Sequence, residues 1–376
     1  MTIYALDGVI RRYDWGSPSA IPQLLGIEAD GRPAAELWFG AHPDGPSSVP
    51  TQGATLDALI GADPVASLGA AVDQRYGSRL PFLLKVLAVD TALSMQVHPT
   101  LEQARAGLAA EDAAGVARDA ASRNYRDANH KPELLCAITP FEGLCGFRPV
   151  GDTLDVVDAL ALPELGFLAD LLRGPDPLRA AFTAVLTHDS QRELAEAVAR
   201  RAGEFGDAAL AGVQLAAHDF PGDIGVVLAL LLNPVRLAPG EAIYLGAGNV
   251  HAYLRGVAVE IMASSDNVLR CALTPKHVDV PELLKITDFS PLDDPRLPCL
   301  GGVFDVPVSD FRLTRLELDA GEPMALDDPG PCIVLCASDS MIVSDVALGP
   351  GRAAFVSAGT ATTLRGTGLA FVAGVG

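Results

Sequence analysis

Leu237-Ala-Pro-Gly-Glu-Ala-Ile-Tyr-Leu-Gly-Ala-Gly248 returns in looser form as Leu348-Gly-Pro-Gly-Arg-Ala-Ala-Phe-Val-Ser-Ala-Gly359. Six of the twelve positions coincide, and Tyr244 stands opposite Phe355. Each copy reads as a turn, a strand of about five residues and a second turn, the corner of a β-sandwich or barrel. The chain is therefore expected to carry two related β units. The first copy runs on to His251, whose counterpart in the second is Thr362. If His251 is a metal ligand, the second unit lacks its equivalent and the chain holds one site, in the first unit.

Around this repeat the character of the chain alternates. The first hundred residues are rich in Gly, Pro and short apolar runs. They predict strands, including Leu83 to Val89 and Ala92 to His98, and one helix over Leu56 to Ala71. Thr100, with Glu102 and Gln103 in the first turn, predicts the start of a helix to about Ala117. A strand over Glu133 to Thr139 follows, then four or so helices from Thr153 to about Ala217. From Pro234 to Gly376 short strands resume, with one short helix near Pro281 to Leu284. A mainly β chain with helical insertions accounts for this order better than separate beads.

The sequence has 376 residues and a formal charge of -20. That balance argues against nucleic acid or an anionic membrane as partner, since each needs a basic face. The longest uncharged apolar run, Ile224 to Leu232, falls well short of the roughly 20 residues that cross a bilayer. Six cysteines with no dense framework suggest reduced thiols and a cytoplasmic protein. Cys332 and Cys336 read as core thiols. Among 27 cationic residues only Lys85, Lys131, Lys276 and Lys285 are lysines. Lysines so sparse invite a search for work arginine does poorly, such as exchanging a proton.

Strand alternation brings chemistry-bearing residues together. Gln96 and His98 share one strand face, Lys131 and Glu133 another, and His251 and Tyr253 a third. An amide oxygen, two imidazoles and a carboxylate converging in one barrel suit a divalent metal, with zinc the default. Glu260, Asp266, Arg270 and Lys276 follow on one segment. Each pattern also has an ordinary reading: Lys-x-Glu is a common surface ion pair, and Arg270 could simply bridge Asp266 or Glu260.

Several longer motifs, in order, carry a resemblance. They are Tyr13-Asp-Trp-Gly-Ser17, Ala35-Glu-Leu-Trp-Phe-Gly-Ala-His-Pro43, Pro81-Phe-Leu-Leu-Lys-Val-Leu87, Leu93-Ser-Met-Gln-Val-His-Pro99, Asn129-His-Lys-Pro-Glu133, Phe141-Glu-Gly-Leu-Cys-Gly-Phe-Arg148 and Ala247-Gly-Asn-Val-His-Ala-Tyr253. On these the chain resembles the type I mannose-6-phosphate isomerases, zinc enzymes of the cupin superfamily, nearly end to end. It departs at Val250, where many relatives have Pro.

The resemblance implies Zn²⁺ held by Gln96, His98, Glu133 and His251. It implies roles in catalysis for Arg270, Lys131, Glu260 and His130, and substrate binding by Ser94, Lys276, Trp15, Tyr253 and Asp266. It also implies cupin (jelly-roll) β-barrels. A catalytic cupin (1–99, 129–152 and 234–290) carries the site, beside a helical domain (100–128 and 153–233) and a metal-free C-terminal barrel (291–376). The implied reaction interconverts mannose 6-phosphate and fructose 6-phosphate through a cis-enediolate, with a small sugar phosphate as the partner and the chain a monomer. Glu260 and Lys131 compete for the role of base, and Lys276 with Ser94 is expected to take the phosphate. The alternatives are a metal-dependent cupin oxygenase and a sugar-phosphate-binding cupin without activity.

Overall fold

The computed structural model describes residues 2–326 and 330–376. The chain is mainly β with helices, and its two large sheets are antiparallel. In the first, the strands run in the order Arg296–Leu297, Ala242–Leu245, Glu133–Ala137, His251–Ala263, Phe82–Val89, Glu36–Phe39 and Val9–Arg11. Only the second half of the 13-residue strand His251–Ala263 lies in that row. Its first half pairs with Phe141–Phe147 and meets Met95–Val97, which in turn pairs with Leu269–Ala272. The strand changes layers at Gly256, where φ is +117° and a Cβ would stand 2.6 Å from the Pro140 carbonyl oxygen. Glycine is required there.

The second sheet repeats this plan. Arg352–Val356 pairs with Cys332–Cys336, which pairs with the 13-residue strand Thr362–Gly374. Ala242–Leu245, Glu133–Ala137 and His251–Ala263 are related in the same way. The sequence repeat is thus a repeat of topology, and the second long strand has its own turning point at Gly366, φ +143°. Closed barrels were expected. Among the described residues neither sheet closes on itself; each folds over through its one long bent strand.

Two further expectations change. The N-terminal strand Ile3–Leu6, assigned to the site-bearing unit, pairs instead with Arg352–Val356. The helix expected over Leu56 to Ala71 is three short ones, Leu56–Ala62, Pro64–Leu68 and Ala70–Tyr76. Asp63 caps Pro64–Leu68 by accepting from the Ala66 N–H, and Pro64 and Gly69 (φ +80°) punctuate the run. The helix after Thr100 forms with its capping box but ends at Ala113.

The helices of 150–231 pack on one face of the first sheet's smaller layer. Met95, Val97, Val250, Ala252 and Leu254 point into that helical core. Period-2 alternation then aims Gln96, His98, His251 and Tyr253 at the opposite side, the interior between layers. Ile224 to Leu232 is buried in the same core. Cys332 and Cys336 are buried on their strand. No helix among the described residues is long and apolar enough to cross a membrane.

Candidate metal centre

Three strands present a row of side chains. His251 stands opposite Gln96, and Gln96 opposite Arg270. Directly opposed residues share a sheet face, so all three project into the interior. From the adjoining layer Glu133 closes the group, with its carboxylate 3.4 Å from His98 Nε2 and 3.4 Å from His251 Nε2. The Gln96 amide lies 3.3 Å from His251 Nε2, and a half-turn of that amide brings its oxygen to the same place. His98, Glu133 and His251 are each at most 1% exposed.

Each imidazole is oriented from behind. His98 Nδ1 lies 2.8 Å from the Asn267 carbonyl and His251 Nδ1 3.0 Å from the Asn249 carbonyl. Those carbonyls accept the Nδ1 protons, so both rings offer an Nε2 lone pair inward. His98 Nε2 and Glu133 Oε2 are buried with no hydrogen-bond partner among the described residues. An imidazole nitrogen and a carboxylate oxygen buried in one group without hydrogen bonds are costly unless a cation satisfies them. His98, Glu133 and His251 form a group whose donor atoms lie within 4.8 Å of one another. The donor set therefore fits a small divalent metal. Burial, with the nearby Lys131 charge, holds the His98 imidazole down at about 4, which keeps it neutral as a ligand must be. Burial pushes the Glu133 carboxyl up, but Lys131 and His98 outweigh it and keep it well below its usual range. Lys131 Nζ is 2.9 Å from Glu133 Oε1. Val250, in the place of the expected proline, is fully buried on the helical side, so packing fixes the turn before His251.

A second buried group lies alongside. Trp38, Lys85, Glu260 and Leu135 form a cross-strand row. Glu260 is 3% exposed and has both oxygens engaged, one with Lys85 Nζ at 3.0 Å and the other with the Tyr253 hydroxyl at 2.9 Å. Burial alone would lower the Lys85 pKa, but Glu260, Glu36 and Glu133 outweigh it and raise it. The Trp38 indole N–H donates to Glu36. The sequence reading places Lys85 only within the strand Leu83 to Val89 and among the four lysines. The signal was present: a lysine in the apolar run Phe82–Val89 must find a buried anion.

Cations gather on the other side. Arg270 and Lys276 have no carboxylate within 4 Å among the described residues, so the alternative reading of Arg270 as a bridge to Asp266 or Glu260 does not hold. Burial and Arg126 lower the Arg270 pKa; Arg270, burial and Arg126 lower that of Lys276. Arg126 was not singled out in the sequence. Its backbone N–H donates to Asn267 Oδ1 at 2.7 Å, which ties its loop to the segment leading into Arg270. Asp266 faces His42 Nε2 at 3.5 Å. Ser94 is partly buried with no hydrogen-bond partner among the described residues, and Leu93 N–H donates to the Tyr253 carbonyl. Trp15 stacks on Tyr13 and packs beside Tyr253's cluster. His130 is not brought to the metal group. It alternates away from Lys131 and meets Asp310 at 3.0 Å on the outer wall.

Residues 3–150 match the family model for the catalytic domain of type I phosphomannose isomerase. Mannose-6-phosphate isomerase from Salmonella typhimurium is 38% identical over 368 residues, covering 93% of each chain. The enzyme of that name from Bos taurus is 33% identical over 416 residues, covering 96% of this chain and 95% of the relative. A crystal structure of mannose 6-phosphate isomerase bound with zinc and yttrium superposes with a TM-score of 0.92 at 33% identity over the whole of both chains. A zinc-bound holo form superposes with a TM-score of 0.91 at 34% identity, again over the whole of both.

Proposed function

The chain belongs to the type I phosphomannose isomerases, and from that premise we propose that it is a zinc-dependent aldose–ketose isomerase interconverting mannose 6-phosphate and fructose 6-phosphate. One observation carries the reading. A buried His98–Glu133–His251 group with orphaned donor atoms lies one strand from Arg270, a cation without a carboxylate partner.

Gln96, His98, Glu133 and His251 would hold the zinc. When bound, zinc supplies a Lewis acid that polarises the carbonyl oxygen of the open-chain sugar. Arg270, always protonated, adds fixed positive charge where that oxygen becomes negative. The proton moves between C2 and C1 through a cis-enediolate. Of the two candidate bases, the geometry favours Lys131. Both Glu260 oxygens already accept hydrogen bonds deep in the sheet, so Glu260 acts through Lys85 and Tyr253 to position the site. In its neutral amine form Lys131 would take the proton from one carbon and return it to the other. His130, held by Asp310, has no such access, so ring opening falls to Asp266 and its partner His42. Arg126 and Lys276, with the Ser94 hydroxyl, hold the phosphate, and Trp15 walls the mouth.

The proposal extends to architecture. The two β units are cupin-like, the first catalytic and the second metal-free, with residues 100–128 and 153–233 as a helical domain. The protein works as a cytoplasmic monomer. A coupled assay of mannose 6-phosphate isomerisation tests the function. Activity should vanish with a chelator and return with zinc, and deuterium from solvent should enter at the exchanged carbon. Turnover that survives chelation, or binding without exchange, would sink it.

A further inference from the structure

A cavity of about 280 Å³ lies where helix Ala70–Tyr76 and its following turn, helix Leu101–Ala113 and the Ser309–Asp310 segment meet. None of the residues assigned above to zinc, proton transfer or phosphate lines it. Its walls carry Arg75, Arg79 and Arg105, and the last two also line a smaller cavity beside it. In a chain of net charge -20, three arginines on one hollow would be expected to find carboxylates. They do not. Arg75 donates to Ser309 Oγ and lies over the Tyr76 ring, and Arg79 donates to the Tyr76 carbonyl. Arg105 has no partner among the described residues.

The acids that face these arginines are already taken. Asp310 is buried against His130 at 3.0 Å. Asp127, in the adjoining cavity, accepts from the Ser265 hydroxyl and from the Asn129 and Asp266 N–H groups. What remains is a concave surface with three exposed guanidinium groups, none of them in an ion pair among the described residues. Phosphate esters suit that chemistry, because guanidinium N–H forks match phosphate oxygens. The volume sits at the low end of ligand pockets and suits a small molecule.

We propose that this cavity is a second anion site, separate from the catalytic centre, that binds a small phosphorylated molecule through Arg75, Arg79 and Arg105. Its occupancy is felt across one stretch of backbone, because His130 lines the cavity while its neighbour Lys131 faces Glu133.

The test is calorimetric titration of the zinc-loaded protein with inorganic phosphate at constant ionic strength. Two sites are expected. Arg75→Ala and Arg105→Ala should each weaken one of them by roughly tenfold, and Arg105→Lys should recover part of the loss. Lys276→Ala should weaken only the other. Circular dichroism melting of each variant establishes that it is folded. A single site abolished by Lys276→Ala and untouched by the arginine variants would overturn the proposal. So would two sites that both survive Arg75→Ala/Arg105→Ala.

Discussion

Glu260 can be deprived of its countercharge without touching the metal ligands. Removing Lys85 as Lys85→Met leaves a carboxylate buried and unpaired, which costs on the order of 3–5 kcal/mol. Adding Glu260→Gln to that variant should restore most of the loss, since the uncompensated charge is then gone. Urea unfolding of the metal-free single and double variants checks this; two simply additive losses would refute the pairing. At the mouth, the split between binding and chemistry separates two arginines. Arg126→Ala should raise KM for the phosphorylated substrate roughly tenfold and leave kcat nearly unchanged, as loss of a uniform phosphate contact does. Arg270→Ala should lower kcat far more than it raises KM. Steady-state kinetics of both variants decide it, and a kcat collapse in Arg126→Ala would move that residue to the reacting carbons. The difference between these residues was only partly legible in the sequence. Gln96, His98 and His251 announce themselves through local alternation. Lys85 and Glu260 are 175 residues apart, and only the register of two strands reveals that they pair. Arg126 lies in a polar loop whose placement depends on Asn267, far along the chain.

At the scale of elements, the site strands are held by what packs behind them. Helix Ala211–Asp219 ends in Asp219, whose carboxylate takes two hydrogen bonds from Arg255 and one from the Ala92 N–H. It therefore ties the helical layer both to the bent strand and to the turn that leads into Ser94 and Gln96. Burial pushes the Asp219 carboxyl up, but Arg255, His218 and the Ala92 N–H outweigh it and bring it down to about 2 from its ordinary 3.8. Because the folded value is the lower one, the stabilisation is complete above the ordinary value and is lost as pH falls towards 2. Metal-free wild type should exceed Asp219→Asn by about 2 kcal/mol at pH 6, and the gap should close near pH 2. A gap independent of pH would show that the pairing carries no linkage. The bend is the second control point. Gly256→Ala forces a Cβ to within 2.6 Å of the Pro140 oxygen at a positive φ, and should cost about 2 kcal/mol or more. Thermal melting reads it directly. The Thr100 cap was readable from the sequence, because a cap is local. The break of the 56–76 run into three helices was also written locally, in Pro64 and Gly69, but the apolar periodicity concealed it.

The whole molecule is one plan used twice, and the sequence repeat exposes that because both copies sit at the same corner. What it conceals is the place of the N-terminal strand. Ile3–Leu6 joins the second sheet across nearly the full length of the chain, a pairing that no local pattern encodes. Register makes the comparison of the two units specific. Glu133 stands opposite Leu245, and Cys332 stands opposite Val356, the repeat partner of Leu245. Cys332 thus occupies the place of Glu133, and Thr362 that of His251. The second unit has lost the carboxylate and an imidazole together, so no single substitution restores a site there. Purified protein should therefore contain one zinc per chain, by elemental analysis, and Thr362→His should still contain one. A second equivalent in wild type would mean that the two units share the function. Zinc should also stabilise the chain, since the ligand atoms form a set only when folded. At a free zinc concentration one hundred times its Kd the gain is about 2.7 kcal/mol. A chelator should lower the melting temperature of the wild type by the same amount as that of Thr362→His, and should leave His98→Ala nearly unmoved.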